Sequence, residues 1–240
     1  METKHYHRLT AIIVVVLISI SVLCSSIFQP TSAQLFGQNI GLSNSKSSEP
    51  EISAYGNNVY IVWRDETTGN GDIYFRASDD SGDHFRNIKN LGTTKESSSE
   101  PRISSVGNNI YVAWRDETTG DGNIYFRRST NYGNIFDEIE KLSNVNASSS
   151  ELQMSTYQNN LYVIWTQSTF NNMKIFFDSS RNLGSDFYNS VDLSRNLTSS
   201  YYPRLEVSHG NIYVVWRDGN NIDNTHIYFK RISEEYRPNT

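Results

Sequence analysis

The chain of 240 residues contains a single cysteine. That residue, Cys24, lies in an apolar run near the N-terminus, so the remainder has no partner for an intrachain disulfide. Packing must hold the folded part together, and the length allows a sizeable core. The segment before Cys24 reads SVLC, with bulky Leu23 where a lipid-attachment site needs a small residue, so no lipidation is expected. Clustered positive charge is also lacking. Removing residues 1–33 takes away Lys4, Arg8 and Glu2, which leaves 19 basic and 25 acidic side chains of the original 21 and 26. A net negative chain without a basic stripe excludes nucleic acid as a partner, because phosphate binding needs grouped lysine and arginine. The five histidines have no metal-ligand spacing: His5 and His7 fall in the first segment, and His84, His209 and His226 are far apart. No Ser-His-Asp set, phosphate loop or dinucleotide fingerprint is present.

Long apolar runs are likewise absent, with one exception. Lys4 and Arg8 precede Leu9–Phe28, which is almost wholly apolar, and Thr31-Ser32-Ala33 supplies small residues at the −3 and −1 positions of a cleavage site. Residues 1–33 therefore read as a signal peptide cut after Ala33, or as an uncleaved anchor, since about 20 apolar residues span a bilayer. Both readings put residues 34–240 outside the membrane, with the charged end in the cytoplasm. The expected location is secreted or cell-surface, and the only expected membrane contact is through an uncleaved N-terminal segment.

What the chain has in plenty is repetition. Val59–Asp72 reads VYIVWRDETTGNGD and returns at Ile110–Asn123 as IYVAWRDETTGDGN. Weaker copies begin at Leu161 (LYVIWTQ) and Ile212 (IYVVWRD). The four tryptophans, Trp63, Trp114, Trp165 and Trp216, are each 51 residues from the next. A fixed period of this size marks a repeat architecture. Aromatics reach 12%, and the polar stretches between apolar runs are rich in Ser, Asn and Thr, a mixture suited to many short strands joined by turns.

Each period contains the same four segments. A first strand opens near SSEPEISAYG (Ser47–Gly56), SSEPRISSVG (Ser98–Gly107), SSELQMSTYQ (Ser149–Gln158) and SYYPRLEVSHG (Ser200–Gly210). The run ending in Trp follows, apolar on both faces as in a strand between two layers. A third strand is expected at Asp72–Ser78, Asn123–Ser129, Lys174–Ser180 and His226–Arg231. A fourth is expected at Phe85–Leu91, Phe136–Leu142 and Phe187–Leu193. Four strands in 51 residues make one propeller blade. The last period lacks its fourth strand, while LFGQNIGLS (Leu35–Ser43) matches the fourth-strand pattern through Phe36, Ile40 and Leu42. The expectation is an all-β, four-bladed β-propeller over residues 34–240, with the N-terminal strand closing the last blade and removing exposed edges; a linker is the alternative for Leu35–Ser43. Asn146 and Asn196 stand in glycosylation tripeptides within expected loops.

The turn after the third strand carries the most specific motif. SDDSGDHF (Ser78–Phe85), STNYGNIF (Ser129–Phe136) and SRNLGSDF (Ser180–Phe187) all fit S-x-[DN]-x-G-x-x-F. Asp80, Asn131 and Asn182 are placed to bond local backbone amides. Gly82, Gly133 and Gly184 allow a backbone that a β-carbon forbids, and Phe85, Phe136 and Phe187 are expected to anchor the next strand in the core. These residues resemble the Asp-box, or BNR, repeat of the sialidase superfamily. The resemblance covers about Leu35–Ser233 and fails in the fourth period, where RISEEYRPNT has no glycine in place. It implies that the Asp-box residues form structural turns, away from any active site. WD40 and kelch repeats fit less well, for want of the Trp-Asp ending and the Gly-Gly pair.

At the opposite end of each period, Arg64, Arg115 and Arg217 are expected around one mouth of the channel, with Asp65, Asp116 and Asp218 beside them. Glu49, Glu100 and Glu151 begin the first strands there, and Tyr202 takes the glutamate position in the fourth period. Guanidinium groups bind carboxylates through paired hydrogen bonds. The sialidase resemblance implies Arg64, Arg115 and Arg217 as a carboxylate-binding triad, Tyr202 as nucleophile, Glu151 as its partner and Asp65 as acid/base. Arg102-Ile103 is followed by serine, however, so the family's Arg-Ile-Pro motif is missing, and six blades are usual there. The recurrence of Arg-Asp in three periods favours bracing between blades first, a ligand-binding ring second and catalysis third, because catalytic groups need unlike environments. The third period departs most, with Thr166 and Gln167 in place of Arg-Asp. No cofactor is expected. The Asp-, Asn- and Gly-rich loops Asp65–Asp72 and Asp116–Asn123 offer oxygens for calcium but lack an EF-hand spacing. The expected role is non-catalytic recognition of a glycan or a cell-surface protein at the mouth; the alternatives are a sialidase-like exo-glycoside hydrolase and an assembly role with another copy or another protein.

Overall fold

The computed structural model describes residues 37–43, 46–92, 96–118, 120–143, 147–188, 190–220 and 224–233. The signal segment, its cleavage point and Asn146 lie outside the described residues. The chain divides into two units, Met1–Gly41 and Leu42–Thr240, and among the described residues the strands lie in the second. No α-helix occurs among the described residues.

The strands form four antiparallel sheets. The first holds β1 (Ser47–Tyr55), β2 (Asn58–Asp65), β3 (Asp72–Ser78) and β4 (Lys89–Asn90); the second holds β5 (Ser98–Val106), β6 (Asn109–Asp116), β7 (Asn123–Ser129) and β8 (Glu140–Lys141). The third holds β9 (Ser149–Tyr157), β10 (Asn160–Ser168), β11 (Met173–Ser180) and β12 (Val191–Asp192). The fourth holds β13 (Ser200–Ser208), β14 (Asn211–Asp218) and β15 (His226–Ile232). In each, strands pair in chain order, and the 51-residue period sets the register: Trp63 faces Tyr74, Trp114 faces Tyr125 and Trp216 faces Tyr228.

The core lies between consecutive sheets. Successive side chains of a strand point to opposite faces, so β6 and β10 each serve two layers. Ile110, Val112 and Trp114 of β6 pack with Tyr60, Val62, Ile73 and Phe75 of the first sheet. Tyr111 and Ala113 of the same strand pack with Leu161, Val163 and Trp165 of the third. Tyr162 and Ile164 then pack with Ile212, Val214 and Trp216 of the fourth. At about 1.5–3 kcal/mol for each large side chain fully buried, these three layers are the main source of stability in a chain without disulfides.

Two expectations need correction. The fourth strands are two residues long rather than seven. The third sheet has Asp178 in place of an arginine and an equally short β12. In the first sheet, Arg76 Nε donates to the Arg86 carbonyl at 2.8 Å and its Nη2 to the Phe85 carbonyl at 3.0 Å. A side chain thus takes carbonyls that a longer ladder would use. Arg127 does the same to Asp137 and Phe136.

The second correction concerns closure by Leu35–Ser43. Residues 37–43 carry no strand, Leu35 and Phe36 lie outside the described residues, and the fourth sheet has three strands among those described. The residues that would match Lys89–Asn90 are Ile40–Gly41, and a glycine adds no packing to so short a bridge. The register itself is kept at Leu42. Arg76 Nη1 donates to the Leu42 carbonyl at 3.2 Å, as Arg127 Nη1 does to Leu91 at 3.2 Å and Lys230 Nζ to Leu193 at 3.3 Å.

Candidate functional site

The first strands share a defect that builds the inner rim. Glu49, Glu100, Glu151 and Tyr202 have φ of 53°, 52°, 55° and 55°, each at a shift of register between the first strand and the second. A non-glycine residue in this region costs of the order of 1–3 kcal/mol. The bulge turns the backbone N–H of the residue toward the preceding sheet. Glu100 N donates to Glu49 Oε2 at 2.5 Å, Glu151 N to Glu100 Oε2 at 2.5 Å, and Tyr202 N to Glu151 Oε2 at 2.6 Å. Charge-assisted bonds of this kind are about twice as strong as neutral ones, which offsets the strain. The three glutamates are rungs of a ladder across four sheets, and Thr166 Oγ1 adds a bond to Glu151 at 2.5 Å. The ladder ends at Tyr202, which has no carboxylate to pass on.

The arginines also link sheets. Arg64 Nε donates to the Ser98 carbonyl at 2.9 Å and Arg115 Nε to the Ser149 carbonyl at 2.8 Å. Each also pairs through Nη1 with a neighbour two residues on, Glu66 and Glu117 respectively. Arg217 differs. Its guanidinium lies 5.3 Å from the Tyr201 ring centre and 5.1 Å from that of Tyr202, and its buried Nε has no hydrogen-bond partner among the described residues.

The aspartates are buried and brace local backbone. Asp65 accepts from Ser47 Oγ at 3.1 Å, Trp63 Nε1 at 3.3 Å and Thr67 N at 3.0 Å. Asp116 accepts from Ser98 Oγ and Thr118 N, both at 2.9 Å. Asp218 accepts from Ser200 Oγ and Thr198 Oγ1, both at 2.9 Å. Gln167 holds the Trp165 indole at 3.1 Å in the third sheet, so a neutral amide fills the same position. The structure brings Tyr202, Glu151 and Arg217 together at one end of the rim. Asp65 sits in the first sheet, within its own loop. Among the described residues no group of three or more His, Cys, Asp or Glu side chains could hold a metal ion.

The S-x-[DN]-x-G-x-x-F turns lie at the other end of the third strands. Ser78 Oγ donates to Asp80 Oδ1 at 2.7 Å and accepts from Gly82 N at 2.9 Å, while His84 N donates to Asp80 Oδ1 at 2.9 Å. Ser129, Asn131 and Gly133 repeat this with Ile135 N at 2.8 Å, and Ser180, Asn182 and Gly184 with Asp186 N at 3.1 Å. A β-carbon on Gly133 would stand 2.5 Å from the Phe75 ring, and one on Gly184 3.1 Å from the Phe126 ring. The glycine thus lets the preceding sheet's phenylalanine close over the turn, where it stands edge to face with Phe136 or Phe187, ring centres 5.0 Å apart.

Some polar residues escaped the motif reading. Arg102 Nη1 reaches Glu51 Oε1 at 3.1 Å between the first two sheets; comparing residues 51 apart points to this pair. Asp178 occupies the position of Arg76 and Arg127, and burial pushes its carboxyl up to about 7, with nearby Glu140 adding to the shift and the Ser179 N–H opposing it. The signal was the acid itself, on a strand position otherwise basic.

No family model matches this chain, and no curated protein sequence matches it. Solved structures do resemble it in fold. One is the α-L-arabinanase of Penicillium chrysogenum in complex with arabinobiose, at TM-score 0.60 and 12% identity, covering 79% of this chain and 63% of that one. Another is the GH93 α-L-arabinofuranosidase of Fusarium graminearum with arabinobiose, at TM-score 0.55 and 13% identity, with the same coverage. The α-L-arabinofuranosidase of Lactobacillus brevis aligns at TM-score 0.50 and 11% identity, covering 78% of this chain and 68% of that one. At such identities the likeness is one of fold, and the class it defines is the β-propeller. The chain spans 63% of the length of the first two neighbours.

Proposed function

We propose that the protein is an exported, non-catalytic recognition module that binds a glycan on the inner rim at the fourth sheet. The observation that carries this reading is the side chain of Tyr202, 54% exposed, backed by the Arg217 guanidinium and set beside Glu151. An exposed aromatic ring next to a carboxylate offers a sugar one apolar face and one hydrogen-bond acceptor. The absence of catalysis is supported by sameness: Glu49, Glu100 and Glu151 all accept a backbone N–H from the next sheet, and the aspartates all brace loops, whereas an acid and a base need unlike surroundings. Export is supported by the N-terminal pattern of residues 1–33. Arabinobiose and a sialylated oligosaccharide are the first probes. Calorimetry should detect binding of a glycan, with affinity falling at least tenfold in Tyr202→Ala. A glycan array without any hit for the wild-type protein rejects the reading.

One contact favours the second reading, a sialidase-like exo-hydrolase. Tyr202 and Glu151, the nucleophile and partner that the Asp-box resemblance implies, are neighbours, although they meet through the Tyr202 backbone N–H. Turnover of an aryl sialoside or aryl arabinofuranoside, lost in Tyr202→Phe, would establish it. No turnover by the wild type removes it.

A further inference from the structure

Three junctions join the four sheets through the same first-strand packing and the same glutamate ladder, and among the described residues the two halves of a fourth junction are left uncovered at the ends. β5 packs on β1, β9 on β5 and β13 on β9, but β13 does not pack on β1 in this way. On the fourth sheet, Ile227 is 76% exposed and Phe229 63%, while their counterparts Ile124 and Phe126 are 0% and 2% exposed. On the first sheet, Ile52 is 66% exposed and its counterpart Ile103 only 9%. The apolar residues at both ends are those that form the internal layers.

From this we infer that the fourth sheet of one chain docks on the first sheet of a second copy, head to tail, in the register that joins consecutive sheets within the chain. The new junction would include Tyr202 and Arg217 of the rim, so association and glycan binding meet there, but Phe229→Glu and Ile52→Glu alter neither residue and test association alone. Four features fit it. Phe75 and Phe126 cover Gly133 and Gly184, and the matching glycine of the first sheet, Gly82, has open space where that ring would lie; Phe229 is the matching phenylalanine. Arg64 and Arg115 donate through Nε to Ser98 and Ser149, while Arg217 Nε is buried without a partner. The corresponding acceptor is the Ser47 carbonyl of the second copy, and a carbonyl has two lone pairs.

The remaining two features are charges of opposite sign. Glu51 pairs with Arg102 across the first junction; at the new one Arg204 takes the place of Glu51 and faces Glu51 of the second copy. Arg128 donates to the Leu183 carbonyl and to Ser185, and by the same register Arg231 faces Asp83 of the second copy. The carboxylate rung is not reproduced, because Tyr202 replaces the glutamate, and neither is the hydroxyl pair of Ser53 with Ser105 or of Ser104 with Thr156, whose places fall to Glu206 and Ala54. Both halves of the interface lie on this chain, which singles out a second copy as the occupant. Such a contact is heterologous: the two patches differ.

The test is light scattering on protein produced from the full chain. Wild type should have the mass of two or more chains. Phe229→Glu and Ile52→Glu, each at an exposed site, should each have the mass of one. Mixed one to one, these two variants should form a particle of two chains, because each retains the half that the other has lost. A wild type that stays a single chain at every concentration overturns the inference. So does association that survives either substitution, or a mixture that fails to associate.

Discussion

The second and fourth sheets carry the same residue types at the same strand positions, yet their fates are opposite. Phe126 and Ile124 are sealed by the third sheet, whereas Phe229 and Ile227 stand in solvent. The hydrophobic pattern of a repeat therefore identifies a face, and only the neighbour decides whether that face is core. The free-energy consequence is direct. Phe126→Ala should destabilise the protein by about 3–5 kcal/mol, as for a large core side chain. Phe229→Ala should cost well under 1 kcal/mol in the single chain. Urea denaturation at a concentration below association measures both. Equal losses at the two sites would break the comparison and show the fourth sheet covered within one chain.

The second and third sheets differ in charge at one strand position, half-buried as Arg127 and buried as Asp178. Arg127 spends its guanidinium on three backbone carbonyls, while Asp178 sits in the same place with its carboxyl raised to about 7, chiefly by burial. A carboxyl whose folded value lies above its unfolded value of about 3.9 binds more protons folded than unfolded. Its contribution to stability is therefore present below about pH 4 and is lost as the pH rises through 7. At roughly 1.4 kcal/mol per unit, the loss is of the order of a few kcal/mol. Asp178→Asn should flatten stability between pH 4 and 8 and raise it at pH 8. If denaturation midpoints of the wild type do not fall over that range, the acid is ionised in place.

Period and strand order were legible because both rest on local pattern. The tryptophans at 51-residue spacing and the alternation in runs such as IYVAW mark each second strand as two-faced, and β6 and β10 do lie between two layers. The S-x-[DN]-x-G-x-x-F turns were legible for the same reason: Ser129, Asn131 and Gly133 meet one another within five residues. Contacts between sheets were not. Glu100 has the composition of a ligand-binding rim residue, and only a φ of 52° shows that its N–H is turned to Glu49. Arg64 suits a carboxylate clamp equally well until the Ser98 carbonyl is found under it. The short fourth strands were hidden because the apolar pattern of Phe85–Leu91 and its copies is the same whether or not the backbone is laddered. In the first sheet the Arg76 side chain takes two of the carbonyls, while in the third β12 is equally short with Asp178 at that position.

The glutamate ladder offers a comparison of intermediate size, between a rung and its end. Glu100 accepts from Glu151 N, whereas Tyr202 donates without accepting. Removing the acceptor in Glu100→Ala should cost about 1–3 kcal/mol, the usual penalty for stranding one partner. Glu100→Gln, which keeps a side-chain oxygen, should recover part of that loss. Tyr202→Ala should leave the denaturation midpoint nearly unchanged while it lowers glycan affinity. A large stability loss at Tyr202 would mean that the end of the ladder is itself a structural contact.

The smallest expected effect separates the three turns. Asp80 in the first is ionisable, while Asn131 and Asn182 do the same task as neutral amides. The Ser78 hydroxyl holds the Asp80 carboxyl well below the usual carboxylate range, followed by the His84 backbone N–H and then the His84 ring; the His84 ring is raised in turn, first by its hydrogen bond to Asp80 and then by that charge. A depressed folded value means that the aspartate contributes stability above its unfolded value and loses it as the pH falls below about 4. The histidine acts in the opposite sense: its share is complete below about pH 6.5 and fades as the pH rises through its folded value. Both groups are exposed, so solvent screens the pair and the amplitude is small. Asp80→Asn should make the first turn as indifferent to pH as the other two. Amide exchange at His84 follows it locally: protection should weaken on acidification in the wild type and stay level in the variant, and equal behaviour of the two would show that the turn is held by Ser78 and Gly82 alone.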